Sequence, residues 1–133
     1  MRISLDKQDN YTILKVLEEK LDTRNAPELK SEFLMLNAEG VRNIILDLEN
    51  TRYVDSSGLS SILVANRLCG QLNGYLILCC VSSHVEKMIK ISQLDKILNI
   101  LPTVQEAIEA IFLSALEEEV TGELNGEGDG EES

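Results

Sequence analysis

The sequence predicts an α/β layered domain. Short apolar runs of strand length alternate with longer segments of helical periodicity, and turn or capping residues mark the junctions. The chain has 133 residues, 44% of them hydrophobic, which is room for one domain able to bury a core without disulfides or metal.

Arg2 to Asp6 and Tyr11 to Leu17 flank the polar stretch Lys7-Gln8-Asp9-Asn10 and read as a hairpin. Asn25-Ala26-Pro27-Glu28 then offers a capping residue, a proline suited to a first helical turn and a Glu three residues after the Asn. Ala26, Leu29, Phe33 and Leu36 recur on one face, predicting an amphipathic helix that closes at Gly40. Asn43 to Leu48 is too short and too apolar at its centre for a surface helix; it reads as a central strand, resumed as Tyr53-Val54 after a polar break.

Ser57 to Leu72 has helical length and ends at Asn73-Gly74. Its apolar residues Leu59, Ile62, Leu63, Val64, Ala65, Leu68 and Cys69 cover most of the circumference, leaving little solvent face unless a partner covers part of it. Tyr75 to Val81 is a buried strand, and Ser83-His84-Val85-Glu86 is a capping box opening a short helix through Val85, Met88 and Ile89. Ile97 to Leu101 is a weak last strand. Thr103-Val104-Gln105-Glu106 is a second capping box, before a helix with Val104, Ala107, Ile108, Ile111, Phe112 and Ala115 on its apolar face.

The formal net charge is −11, from 12 Lys+Arg against 23 Asp+Glu. Eight of the acids lie at Glu117 and beyond, so residues 1–116 carry 15 acids against 12 bases. No basic stripe is present to displace counterions, which disfavours direct nucleic-acid binding and an anionic membrane surface. From about Thr121 there is little to bury, so the chain divides into a globular domain over residues 1–116 and an acidic, disordered tail over residues 117–133. No apolar run approaches the roughly 20 residues of a membrane span, and Met1 to Asn10 is too charged for a signal peptide; a cytoplasmic location is expected. Cys69, Cys79 and Cys80 lack CxxC spacing, and adjacent cysteines on a strand would face opposite ways, so they read as reduced, packed thiols with no metal site.

The chemistry-bearing stretch is Tyr53-Val54-Asp55-Ser56-Ser57-Gly58-Leu59, where a strand hands over to the largely apolar helix. Ser56 or Ser57 is expected to cap that helix, with Gly58 allowing close packing. A serine there also lies where unpaired N–H groups and the helix dipole favour an anion, so the helix start would tolerate the roughly −1.5 to −2 charges of a phosphate. A serine-nucleophile enzyme is disfavoured. The sole histidine, His84, opens another helix and reads as a surface or capping-turn residue, and no G-x-S-x-G elbow, P-loop or G-x-G-x-x-G is present.

Three blocks, Leu21-Asp22-Thr23-Arg24-Asn25-Ala26, Ile44-Ile45-Leu46-Asp47-Leu48 and Val54-Asp55-Ser56-Ser57-Gly58-Leu59, carry a wider likeness. From about Ile3 to Leu113 the sequence resembles a STAS domain of the bacterial anti-sigma factor antagonist type. The resemblance implies a small mixed β-sheet with helices packed mainly on one side, and a regulatory module without catalytic activity or cofactor. It implies Ser57 as the residue phosphorylated by an anti-sigma factor that is also a serine kinase. The unphosphorylated form would bind that factor and release the sigma factor, and a PP2C-type phosphatase would reset the switch. Asp22, Asn25, Asp55, Ser56, Ser57, Gly58 and Leu59 are the implied partner-binding residues. Glu19 stands where the family commonly has Gly, and the acidic tail is an addition. The resemblance also admits a non-switching STAS subunit of a transport complex, such as a lipid ABC assembly, in which Ser57 is only a cap and a contact.

Overall fold

Ile44–Asp47 forms β4 with all four residues buried, because both faces of this strand are covered. In a computed structural model, the chain is described for the backbone of residues 1–132 and the side chains of residues 1–122. β1 (Ile3–Lys7) pairs antiparallel with β2 (Thr12–Val16) as the expected hairpin, and β2, β4, β6 (Leu76–Cys79) and β7 (Asn99–Leu101) run parallel in the order β1-β2-β4-β6-β7.

Alternation along the strands divides the core. Ile44 and Leu46 of β4, with Leu14, Val16, Leu76 and Leu78, face three helices: α1 (Ala26–Ala38) through Leu29, Phe33 and Leu36, α2 (Ser56–Gln71) through Leu59, Ile62, Ala65 and Cys69, and α3 (Ser83–Ile91) through Val85 and Ile89. Ile45, Ile77 and Cys79 face the other way, against Ala107 and Ile111 of α4 (Val104–Glu132). The sheet is mixed and three of four helices share one face, as the family resemblance implies. Gly40, at φ +85°, turns the chain out of α1 into the left-handed region that glycine adopts without strain.

Several local expectations are corrected. Tyr53-Val54 does not resume the central strand. Thr51 is buried, its hydroxyl bonds the Glu18 carbonyl at 2.9 Å, and the chain leaves the main sheet at Leu48; Tyr53–Val54 (β5) then pairs parallel with Lys20–Leu21 (β3) as a separate ribbon. Asn25 does not cap α1 with its side chain, because its Oδ1 accepts from Asp22 N at 2.9 Å and its Nδ2 donates to the Lys20 carbonyl at 2.8 Å. Ser82 rather than Ser83 caps α3, at 3.3 Å from Val85 N. Thr103 caps α4 as expected, its hydroxyl accepting from Glu106 N at 3.1 Å. Ile97 lies outside β7, and a 3-10 turn, Leu94–Lys96, precedes it.

The helix α4 runs on past Leu116 into the acidic segment. Glu117, Glu118 and Glu119 are good helix formers with no proline among them, and Glu118 reaches Arg42 at 3.5 Å. Cys80 does not oppose Cys79 across a strand: at φ +57° it has already left β6, and both Sγ atoms fall on one side. Among the described residues, no helix is long and apolar enough to cross a membrane.

Candidate functional site

The ribbon β3–β5 brings two segments more than 30 residues apart into one edge. Asp55 N donates to the Leu21 carbonyl at 3.1 Å, so the turn into α2 abuts the loop carrying Asp22, Thr23, Arg24 and Asn25.

Asp55, and neither serine, is the cap of α2. Its backbone is extended and its Oδ1 accepts from Gly58 N at 3.0 Å. A carboxylate is the stronger acceptor here, since the first-turn N–H groups favour negative charge. Its other oxygen, Oδ2, accepts from Thr23 N at 3.2 Å and from the Thr23 hydroxyl at 3.3 Å. The Thr23 hydroxyl in turn lies 3.4 Å from Ser57 Oγ. When the Thr23 hydroxyl donates to Asp55, Ser57 Oγ is placed to donate to Thr23 in turn. The lone pairs of Ser57 Oγ then remain available on the half-exposed side of the residue.

Replacing Asp55 by alanine should lower stability by about 1–2 kcal/mol through loss of the cap, whereas Asp55→Asn keeps an acceptor and should lose only a few tenths. Urea unfolding of the two variants checks this; equal losses would show that charge, not the capping bond, holds the turn.

Gly58 is buried because α2 approaches β3 closely: a Cβ there would lie 2.6 Å from the Leu21 carbonyl oxygen and 2.7 Å from Val54 Cγ1. Ser61, one turn on, bonds the Ala26 carbonyl at 2.9 Å from a buried position and ties α2 to the start of α1.

Asp22 points to the same edge. Hydrogen bonds from the Arg24 side chain, first, and from the Arg24 amide hold its carboxyl below the ordinary value. A depressed folded-state pKa means that this contribution is complete above the ordinary carboxylate range and is lost as pH falls through the lowered value. In Arg24→Gln the Asp22 midpoint, followed by carboxyl NMR, should therefore move upward; an unmoved midpoint would show that the guanidinium does not set it.

Of the expected partner-binding residues, Asp22, Asn25, Asp55 and Ser57 are half-buried at this edge and Ser56 is exposed. Gly58 is buried, and so is Leu59. It is 5% exposed in the core beneath α2, since the helix turns it inward to meet the sheet, and it offers no surface. Thr23, which joins Asp55 to Ser57, is the residue sequence reasoning passed over, although it stands inside the Leu21–Ala26 block. Glu19 is exposed and not left-handed, so it fits without strain where glycine is common; its carbonyl accepts from Arg52 N at 2.8 Å and Tyr53 N at 3.2 Å.

His84 is exposed and stacks on Tyr53, ring centroids 5.8 Å apart and 22° from parallel, placing an aromatic pair on the surface beside β5. Burial pushes the Cys69 thiol up to about 11 and raises Cys79 and Cys80 as well, the opposite of what a nucleophilic thiolate needs.

The sequence pattern of the STAS domain family matches residues 2–107. BtrV of Bordetella bronchiseptica, assigned as an anti-sigma factor antagonist, is 32% identical over 118 residues, covering 87% of this chain and 98% of its own. The anti-sigma-B factor antagonist of Staphylococcus aureus is 28% identical over 100 residues, covering 75% and 92%. Among solved structures, a Thermotoga maritima protein assigned as an anti-sigma factor antagonist superposes with a TM-score of 0.75 at 26% identity, covering 82% of this chain and 93% of that one. The mixed five-stranded sheet, the ribbon that joins Asp22 to Asp55, and these matches together make the chain a member of the STAS domain family, similar to its anti-sigma factor antagonists.

Proposed function

We propose that this protein is an anti-sigma factor antagonist switched by phosphorylation of Ser57. The observation that carries the reading is the chain of hydrogen bonds from Ser57 through Thr23 to Asp55 at the start of α2. That chain directs the serine proton inward and leaves Oγ open to an incoming phosphorus. An anti-sigma factor acting as an ATP-dependent serine kinase would form the Oγ–P bond as the γ-phosphate's bond to ADP breaks, with the hydroxyl proton passing to a base of the kinase.

In the unmodified state the half-exposed edge around Asp22, Asn25, Asp55, Ser56 and Ser57 binds the anti-sigma factor, so that the sigma factor is released. A phosphate adds two charges' worth of repulsion beside Asp55 and bulk at the centre of the contact, and the partner leaves. A PP2C-type phosphatase returns the chain to its binding form in the cytoplasm. The globular unit in this reading is residues 1–116, with the acidic segment 117–133 as an appendage outside the switch.

The test is affinity capture from native cell extract, with and without ATP, identifying bound proteins and the modified residue by mass spectrometry. Retention of an anti-sigma factor that is lost as phosphate accumulates on Ser57 supports the switch. Retention of membrane-transport subunits under both conditions, with Ser57 unmodified, would overturn it in favour of a structural subunit.

A further inference from the structure

At the carboxyl ends of β4 and β6, on the sheet face opposite α2, three potential ligand atoms converge: the Sγ atoms of Cys79 and Cys80 and a carboxylate oxygen of Asp47 all lie within 4.8 Å of one another. The convergence is built by the fold in two steps. Asp47 and Cys79 are register partners across the parallel pair β4–β6, so their side chains project side by side. Cys80 then takes the left-handed conformation, φ +57°, its N–H held by the Pro102 carbonyl at 3.2 Å, and this turns its thiol back toward the other two.

Left-handed backbone at a non-glycine residue is unfavourable by roughly 1–2 kcal/mol, and such positions concentrate at ligand clamps. Nothing in the switch described above uses it. We propose that Asp47, Cys79 and Cys80 bind a thiophilic divalent cation of the Zn2+ class.

The donor set decides the class. Two sulfurs and one carboxylate suit Zn2+ and its softer analogues, and are poor ligands for Mg2+ or Ca2+, which prefer all-oxygen shells. The two thiol protons leave to solvent as the two S–metal bonds form, and a water completes a tetrahedral shell. Glu49 N donates to Asp47 Oδ1 at 3.0 Å and fixes the carboxylate, while Lys15, the register partner of Asp47, pairs with Glu49 at 3.0 Å beside the cluster. Carboxyl ends of parallel strands are also where open α/β sheets place their ligands. The sequence concealed this, because adjacent cysteines read as facing apart until the backbone reverses at the second.

The experiment titrates the full, phosphine-reduced chain with Co2+, whose thiolate charge-transfer absorption reports sulfur ligation, and then displaces it with Zn2+. One Co2+ per chain with that absorption is expected. Cys80→Gly removes a ligand while suiting the left-handed backbone, so it remains folded; Asp47→Asn removes the carboxylate. Affinity should fall by about 100-fold or more in Cys80→Gly and by at least about 10-fold in Asp47→Asn. Cys69→Ala, which removes the thiol on the α2 side, should leave it unchanged. Absence of the thiolate absorption in the parent chain, or its persistence with undiminished affinity in Cys80→Gly, overturns the proposal.

Discussion

Replacing Ser57 by aspartate should weaken binding of the anti-sigma factor by about 2–4 kcal/mol, roughly 30- to 1,000-fold in Kd, with almost no change in melting temperature. The two readouts separate because the charge acts differently on the fold and on the contact. Within the chain, a carboxylate in the first turn of α2 gains about 0.3–1 kcal/mol from the helix terminus and loses a similar amount facing Asp55 through Thr23. At the contact, the same charge is desolvated without a partner. Ser57→Ala, which removes only the hydroxyl, should retain binding and abolish phosphorylation. Isothermal titration of the three proteins against the captured partner is the measurement. Equal affinity of the parent and Ser57→Asp would end the switch reading, and a shared loss in Ser57→Ala would make the hydroxyl a contact rather than a switch.

Gly58→Ala should lower stability by about 3 kcal/mol, although alanine is the better helix former by about 1 kcal/mol. The clash decides the sign: the new methyl would meet the Leu21 carbonyl oxygen at 2.6 Å, a backbone atom locked into the β3–β5 ribbon and bonded to Asp55 N. Gly70, near the other end of the same helix, has open space on its Cβ side, with no atom within 4 Å of where a methyl would sit, so Gly70→Ala should stabilise by up to about 1 kcal/mol. Denaturant unfolding of the pair makes a signed comparison within one helix. If Gly58→Ala also stabilised, the close approach of α2 to β3 would be looser than described, and the Thr23 link to Ser57 with it.

What the sequence made legible follows the physics of each element. Leu29, Phe33 and Leu36 announced the buried face of α1 because helical spacing alone determines it, and Ile44 to Leu46 announced a two-sided core strand because both its faces are apolar. The β3–β5 ribbon was invisible, since two-residue strands have no periodicity and their pairing is set by a distant segment. Asn25 misled for a local reason: its grammar is that of a cap, but the neighbouring Lys20 and Asp22 occupy its amide. Motif likeness named Asp22, Asp55 and Ser57 without the hydrogen bonds around them. It could not show that Leu59 turns inward, because membership in a motif says nothing of exposure.

The link from Ser57 to Thr23 joins residues 34 apart in sequence, and it exists only once the ribbon has closed. Contacts of such separation carry the entropy of closing a long loop and form late relative to local helix turns. An emerging or misfolded chain therefore displays the same serine with its hydroxyl unaligned and its neighbouring acids scattered. The arrangement of the edge around Ser57 is therefore a property of the closed fold and not of either segment alone.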